Sequence, residues 1–314
     1  MNGQSMGHGG PAGGGIRLGL CCIFREEPIK FRGTTAKHTA TFPRSEQLRR
    51  LSRLCLENAG SLLQAVRYAA EHGIGAFRVL SQLFPLYTHP QVGYSLAELP
   101  EAGAIRAKLA AVGHFRAAHD LRLSFHPDQF VVLSSPRPEV VASSIRELDY
   151  QAMVAELIGA EVINIHGGGV YGDKKQALAR FRKNFARLPE RVRSRLTVEN
   201  DDISFAPQDL APLVRELGIP LVYDVHHHRC LTGAWSIEEA TRTAAATWQV
   251  LGREPYFHLS SPKNGWQSGS PRPHADYIDP ADFPACWQGL SATIDIEAKA
   301  KELAVLRLKR DLGL

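Results

Sequence analysis

From Ile16 to the C-terminus, short apolar runs bounded by turn residues alternate with longer stretches of helical period. The runs predict eight strands: Arg17–Ile23, Ala76–Leu80, Arg122–Phe125, Val162–Ile165, Leu196–Val198, Leu221–Tyr223, Tyr256–Leu259 and Thr293–Ile296. Stretches such as Val162-Ile163-Asn164-Ile165 are nearly continuous in apolar residues, the pattern of strands covered on both faces. Between the strands, apolar residues recur at helical spacing and predict helices at Ser45–His72, Glu101–His119, Pro138–Ile158, Lys174–Leu188, Pro207–Leu217, Ser236–Val250, Pro280–Leu290 and Ala298–Leu312. Ser236 ahead of Glu238 and Glu239 is a helix-start signal, as is Asp279 before Pro280. Gly73, Gly159 and Gly218 each stand where a helix must stop before the next strand.

Strand followed by helix, repeated eight times in 314 residues, predicts an α/β protein with its parallel sheet closed into a (β/α)8 TIM barrel, one domain spanning residues 16–314. The rival is an open doubly wound sheet. It calls for a glycine-rich phosphate turn after the first strand, and Gly19-Leu20-Cys21-Cys22 does not supply one. Residues 1–15 are rich in glycine and lack the apolar core of a signal peptide, so they are read as a disordered leader outside the fold.

Composition narrows the setting. The formal charge of +5 favours an anionic partner such as nucleic acid. No apolar run approaches the roughly 18 residues of a membrane-spanning helix. The cysteines, Cys21, Cys22, Cys55, Cys230 and Cys286, are odd in number and contain no CxxC pair. They suit a reducing, cytoplasmic compartment better than a disulfide framework or a zinc ribbon.

The chemistry lies where the strands end. From the third strand to the eighth, the ends carry His126, His166, Glu199, Asp224, His258 and Glu297 in turn, spaced from 25 residues (199 to 224) to 40 (126 to 166). These are the intervals of single strand–helix units, so each residue falls at the C-terminal mouth, where barrel active sites lie. Taken singly, each has a plainer reading: a helix cap, a buried hydrogen-bonded histidine or an ordinary loop residue. Six in succession argue for a shared site. Asp224 and His227, in Asp224-Val225-His226-His227-His228, are an acid and an imidazole three apart at one strand exit, suited to two neighbouring metals. His274 lies in the long loop after the seventh strand. Imidazole and carboxylate donors suit Zn2+, Mn2+ or Fe2+. Glu199, midway in the ring, is the candidate bridge between two ions and the candidate catalytic residue, in a centre that activates water and stabilises the leaving oxygen of a phosphodiester.

The chain resembles the UV damage endonuclease family, and more distantly the endonuclease IV-like and xylose isomerase-like barrels. The likeness runs from about Ile16 to about Glu302. It is carried by Ile16-Arg17-Leu18-Gly19, Phe77-Arg78-Val79, Thr88-His89-Pro90, His126-Pro127-Asp128-Gln129-Phe130, His166-Gly167-Gly168, Val198-Glu199-Asn200-Asp201, Asp224-Val225-His226-His227-His228, His258-Leu259-Ser260-Ser261, His274-Ala275-Asp276-Tyr277-Ile278 and Ile296-Glu297-Ala298-Lys299-Ala300-Lys301-Glu302. The resemblance implies a monomeric enzyme that nicks double-stranded DNA 5′ to UV photoproducts and leaves a 3′-hydroxyl and a 5′-phosphate. It implies two or three divalent ions, Mn2+ first, with Zn2+ or Mg2+ as alternatives. By position, His126 and His166 resemble the ligands of one ion, with Glu199 shared. Asp224, His258 and Glu297 resemble those of a second, and His227 and His274 those of a third. Gln129 and Phe130 match the pair that probes the damaged step. His89, Asn200, Lys263, Arg272 and Lys299 are further candidate DNA contacts, and Lys37, Lys174, Lys175, Arg229 and Lys301 add basic charge near the predicted rim. This sequence departs from the family pattern in two places. Tyr256 stands where some members carry a metal-binding modified lysine. Leu20-Cys21 stands where some carry a probing tyrosine, with Phe24 as the nearest substitute.

Alternative functions on such a barrel are a sugar isomerase, an abasic-site endonuclease and a damage-binding protein without catalysis. The extra imidazoles and basic rim argue against an isomerase pocket, and the complete ligand set argues against lost catalysis.

Overall fold

A computed structural model describes residues 15–314; the leader expected at residues 1–15 lies, through residue 14, outside the described residues. Eight parallel strands close into a barrel in sequence order: β1 Ile16–Cys21, β2 Ala76–Val79, β3 Arg122–Phe125, β4 Val162–His166, β5 Leu196–Glu199, β6 Leu221–Asp224, β7 Tyr256–Leu259 and β8 Ala292–Ile296. This is a single-domain TIM barrel, as the strand–helix alternation predicts. Closure is completed by β1 pairing with β8. Helices Arg44–Glu71, Ala102–Ala118, Pro138–Ile158, Lys174–Phe185, Pro207–Leu217, Ile237–Gln249 and Glu302–Leu312 pack around it. Among the described residues, no helix is long and apolar enough to cross a membrane. All five cysteines are free.

The stop and start signals act as expected. Gly159 and Gly218 adopt the left-handed conformation that ends a helix, with φ of 70° and 65°. Ser236 accepts from the Glu239 backbone N–H at 3.2 Å in a capping box.

Three helical expectations are corrected. Pro280–Leu290 is two 3-10 turns, Pro280–Asp282 and Ala285–Trp287, because Pro284 lacks the N–H an α-helix needs there and its ring crowds the preceding turn. The helix predicted from Ala298 begins at Glu302, since Lys301 sits at φ 55°. Lys174–Leu188 stops at Phe185, and a single turn, Glu190–Arg193, follows Pro189.

The barrel interior is unusually polar toward its N-terminal end. Arg122 donates to Glu161 at 2.6 Å and to the Thr293 hydroxyl at 2.8 Å, and its guanidinium lies 4.1 Å from the Tyr256 ring centre. Pairing is what makes a buried guanidinium tolerable. These contacts close the floor beneath the mouth.

Candidate metal centre

Strand register makes the first pairings. His166 lies beside Glu199 across β4 and β5, and Asp224 lies beside His258 across β6 and β7. Glu199 is fully buried, and three imidazoles converge on it. His126 Nε2 is 3.1 Å from Oε2, His258 Nδ1 is 3.1 Å from Oε1, and His227 Nδ1 is 3.3 Å from Oε1. The Asn164 amide donates to Glu199 Oε2, and the Thr197 hydroxyl donates to Asn164 Oδ1 at 2.8 Å.

Asp224 has two tasks. Oδ1 accepts from the His227 backbone N–H at 2.8 Å and so caps a short helix, Val225–Cys230. Oδ2 is left free, 3.5 Å from His227 Nδ1 and 4.0 Å from His258 Nδ1. In that helix each residue turns by about 100° from the last, so the three histidines part company. His226 Nε2 lies 3.2 Å from the Arg272 carbonyl, His228 Nδ1 lies 2.6 Å from the Tyr223 hydroxyl, and His227 alone faces Glu199.

Three groups of side chains bring ligand atoms within 4.8 Å of one another: His126, Glu199 and His258; His166, Glu199 and His227; and Asp224, His258 and Glu297. Glu199 joins two of them. His274 stands at the edge, its Nδ1 3.8 Å from Glu297 Oε2 and its ring centre 6.5 Å from that of His227.

The donors fit a divalent metal centre. Glu199 Oε1, Asp224 Oδ2, His166 Nδ1 and His258 Nδ1 are buried with no hydrogen-bond partner. An unpaired buried acceptor costs about 1–3 kcal/mol, and a charged one more. Four in one mouth are a standing cost that a shared cation removes.

Charge is arranged the same way. Burial alone would raise the Glu199 pKa, but the facing His258, His166, His126 and His227 hold it well below the usual carboxylate range. Burial likewise opposes ionisation of Glu297, and Arg78 with His258 outweighs it to lower that pKa. Burial pushes His166 down to about 4, so it stays neutral with a free lone pair. For His258 burial also acts downward, yet Glu199 prevails and raises it; for His227, Asp224 and Glu199 do the same.

Sequence reasoning gave no role to Arg78, Asn164 or Asp295. Arg78 is buried and donates to Asp295 Oδ2 at 3.0 Å and Glu297 Oε1 at 2.6 Å, with Nη2 2.9 Å from His258 Nε2. A signal was available in the strands themselves. A charged residue at an interior position of an apolar strand is expensive unless something pairs it.

Gln129 and Phe130 lie on the loop after β3, with Phe130 75% exposed. Phe130 lines a cavity of about 520 Å³ together with His89, Asp128 and Tyr150. Gln129 lines a second, of about 480 Å³, that reaches His166 and His227. The pair therefore stands between a roomy pocket and the metal-type donors. Lys263, Arg272 and Lys299 are exposed at the mouth, where the Lys263 N–H bonds the Pro273 carbonyl and the Lys299 N–H bonds that of Ala275. Arg272 also pairs with Asp202 at 3.3 Å.

Two expectations are corrected here. Asn200 is fully buried, donates to the Asp224 carbonyl at 2.8 Å and accepts from its N–H at 3.0 Å, so it braces Asp224 and offers no face to DNA. Phe24 is buried too, stacked on Phe77 at 6.0 Å, and is a core residue with no probing edge.

A family model described as UV-endonuclease UvdE matches residues 16–314. The chain is 35% identical to the UV DNA damage endonuclease of Bacillus velezensis, over 95% of this chain and 93% of that protein. Its fold is similar to the crystal structure of SacUVDE, with a TM-score of 0.84 and 28% identity over 95% of this chain and 98% of that one. The endonuclease IV of Thermus thermophilus shares the fold, with a TM-score of 0.60 and 18% identity over 95% and 97% of the two chains.

Proposed function

The chain belongs to the UV-endonuclease UvdE family, and on that premise we propose that it is a metal-dependent DNA-repair endonuclease that cuts the phosphodiester 5′ to UV photoproducts and other helix-distorting lesions in double-stranded DNA. It acts as a monomer on chromosomal DNA in the cytoplasm. The observation that carries the reading is the convergence of His126, His166, His227 and His258 on Glu199, Asp224 and Glu297, with buried lone pairs left unpaired.

Glu199, common to two groups, would be the ligand shared between ions. His126, His166, His227, His258, Asp224 and Glu297 would hold them with it, and His274 stands at the edge of the same donor set. Mn2+ is the preferred occupant, with Zn2+ or Mg2+ as alternatives. When bound, such ions supply water activation and neutralise charge on the reacting phosphate. The protein's own contribution is orientation and exclusion of bulk water. Asn164 fixes one Glu199 oxygen, and Asn200 fixes the Asp224 backbone. Phe130 and Gln129 supply the wedge at the lesion. A distorted dinucleotide unstacks at lower cost than an intact step, so an exposed aromatic beside a pocket selects damage. Lys263, Arg272, Lys299 and the rim residue His89 track the backbone.

Incubation with a UV-irradiated and an unirradiated plasmid, beside a ketose–aldose interconversion assay, tests the proposal. Mn2+-dependent nicking confined to the irradiated plasmid supports it; sugar conversion without nicking replaces it with the isomerase reading.

A further inference from the structure

Asp295 lies on β8, two residues before Glu297, and takes part in none of the three ligand groups. It is 1% exposed. Register places it beside His258 on one flank and Gly19 on the other. Oδ2 accepts from Arg78 Nε at 3.0 Å and lies 3.9 Å from His258 Nε2, while Oδ1 is buried with no partner. Gly19 makes the space: a Cβ there would overlap the Asp295 carboxylate. A charged, half-satisfied side chain held in a cavity cut for it is a costly arrangement to keep without a use.

The use follows from the chemistry of His258. Its Nδ1 faces Glu199 Oε1 at 3.1 Å and Glu297 Oε1 at 3.4 Å. An imidazole that gives Nδ1 to a cation carries its proton on Nε2, and that N–H needs an acceptor. The nearest group, Arg78 Nη2 at 2.9 Å, is a donor only. Asp295 Oδ2 lies 3.9 Å from Nε2 and belongs to a carboxylate outside the three ligand groups.

We infer that Asp295 is a positioning residue of the metal centre: on metal loading it accepts the Nε2–H of His258, fixes the imidazole with Nδ1 toward the ions, and holds Arg78 aside. This rests on the proposal that the mouth binds divalent metal. Metal-ligating histidines are commonly oriented by a carboxylate in this way, and losing that carboxylate weakens metal binding by about 10- to 100-fold.

The test is Mn2+ affinity and stoichiometry by calorimetry, with the electron paramagnetic resonance spectrum of bound Mn2+, for wild type, Asp295→Asn, Gly19→Ala and the double variant Arg78→Met/Asp295→Asn. Asp295→Asn keeps the shape and removes the charge; Gly19→Ala displaces the carboxylate and changes no charge. Both are expected to weaken one Mn2+ by about 10- to 100-fold and alter its spectrum. The double variant is expected to stay weak. Wild-type affinity in the folded Asp295→Asn protein overturns the inference. So does restored affinity in the double variant, which reduces Asp295 to a counterion for Arg78. If Asp295→Asn does not fold, Gly19→Ala decides alone, and native affinity there overturns the inference. Wild type that takes up no divalent ion refutes the metal centre itself, a separate failure.

Discussion

Replacing Glu199 with Gln keeps the shape of the side chain and removes the charge on which the centre is built. The carboxylate sits 3.1 Å from His126 Nε2 and from His258 Nδ1, and 3.3 Å from His227 Nδ1, and it serves two of the three ligand groups. Loss of an orienting carboxylate behind a ligand typically costs about 10- to 100-fold in metal affinity or activity. A shared ligand should cost at least as much at each of two groups, so the combined loss is about 10²- to 10⁴-fold. At 1.36 kcal/mol per tenfold, that is roughly 3–5 kcal/mol of transition-state stabilisation. The metal-free protein should respond differently. Its buried carboxylate is held ionised by the facing imidazoles, and removing one partner of a buried pair typically costs about 3–5 kcal/mol, less where His258 and His227 give up their protons. The melting temperature without metal should therefore fall. The assay is nicking of irradiated plasmid across a Mn2+ titration, with thermal melts in chelator. Expected is a fall of at least 10²-fold at limiting Mn2+ in a variant that still melts cooperatively, at a lower temperature, in chelator. Nicking within tenfold of wild type at limiting Mn2+, together with unchanged Mn2+ stoichiometry, would refute the assignment of Glu199 as the shared ligand.

Other perturbations reach separate parts of the molecule. Phe130→Ala should weaken binding of dimer-containing duplex by about 1–3 kcal/mol, the worth of one base–aromatic stack, and leave stability unchanged because the ring is 75% exposed; equal affinity in a competition assay refutes the wedge. Lys263→Ala with Lys299→Ala should lower the slope of log K against log salt by about 2 if each lysine neutralises one phosphate, and an unchanged slope removes both from the interface. Mn2+ uptake near neutral pH should release protons, because Glu199 and Asp224 raise His227 and Glu199 raises His258 in the metal-free centre; calorimetry in buffers of different ionisation enthalpy reads this, and buffer-independent heats contradict it. Glu161, held below its ordinary carboxylate value of 4.5 against burial by Arg122, favours the folded state while ionised. Its contribution is complete above that value and disappears as pH falls through the lower folded pKa, so Glu161→Gln should cost about 1 kcal/mol at pH 7 and progressively less as pH falls below 4.5; denaturant melts at pH 7 and through the acid range check the sign.

The barrel was legible because its strands are short apolar runs and its helices carry regular stops. Gly159 and Gly218 end helices where expected, and the eight strand positions follow from the runs. Pro280–Leu290 misled because its apolar spacing is helical while Pro284 forbids the continuation. Helix Val225–Cys230 is too short for periodicity to show; only the Asp224 cap marks it. At the site, position on a strand end was enough to gather the ligand candidates. It did not show which nitrogen faces which oxygen, nor that His226 and His228 turn away. Arg78 and Asp295 carry no strand-end signal, since both lie one alternation lower, inside the barrel. Asn200 is a candidate DNA contact by resemblance, whereas its side chain is consumed by the Asp224 backbone.

An end-labelled duplex carrying a single pyrimidine dimer, incubated with Mn2+ or with chelator, puts strand-end donors, bound ions and bond cleavage into one reading. The expected result is one incision immediately 5′ to the dimer with a 3′-hydroxyl end, present with Mn2+, absent with chelator and restored when Mn2+ is returned. Incision that persists in chelator, or an intact duplex at saturating Mn2+, contradicts a metal-dependent nuclease built on Glu199 and its histidines.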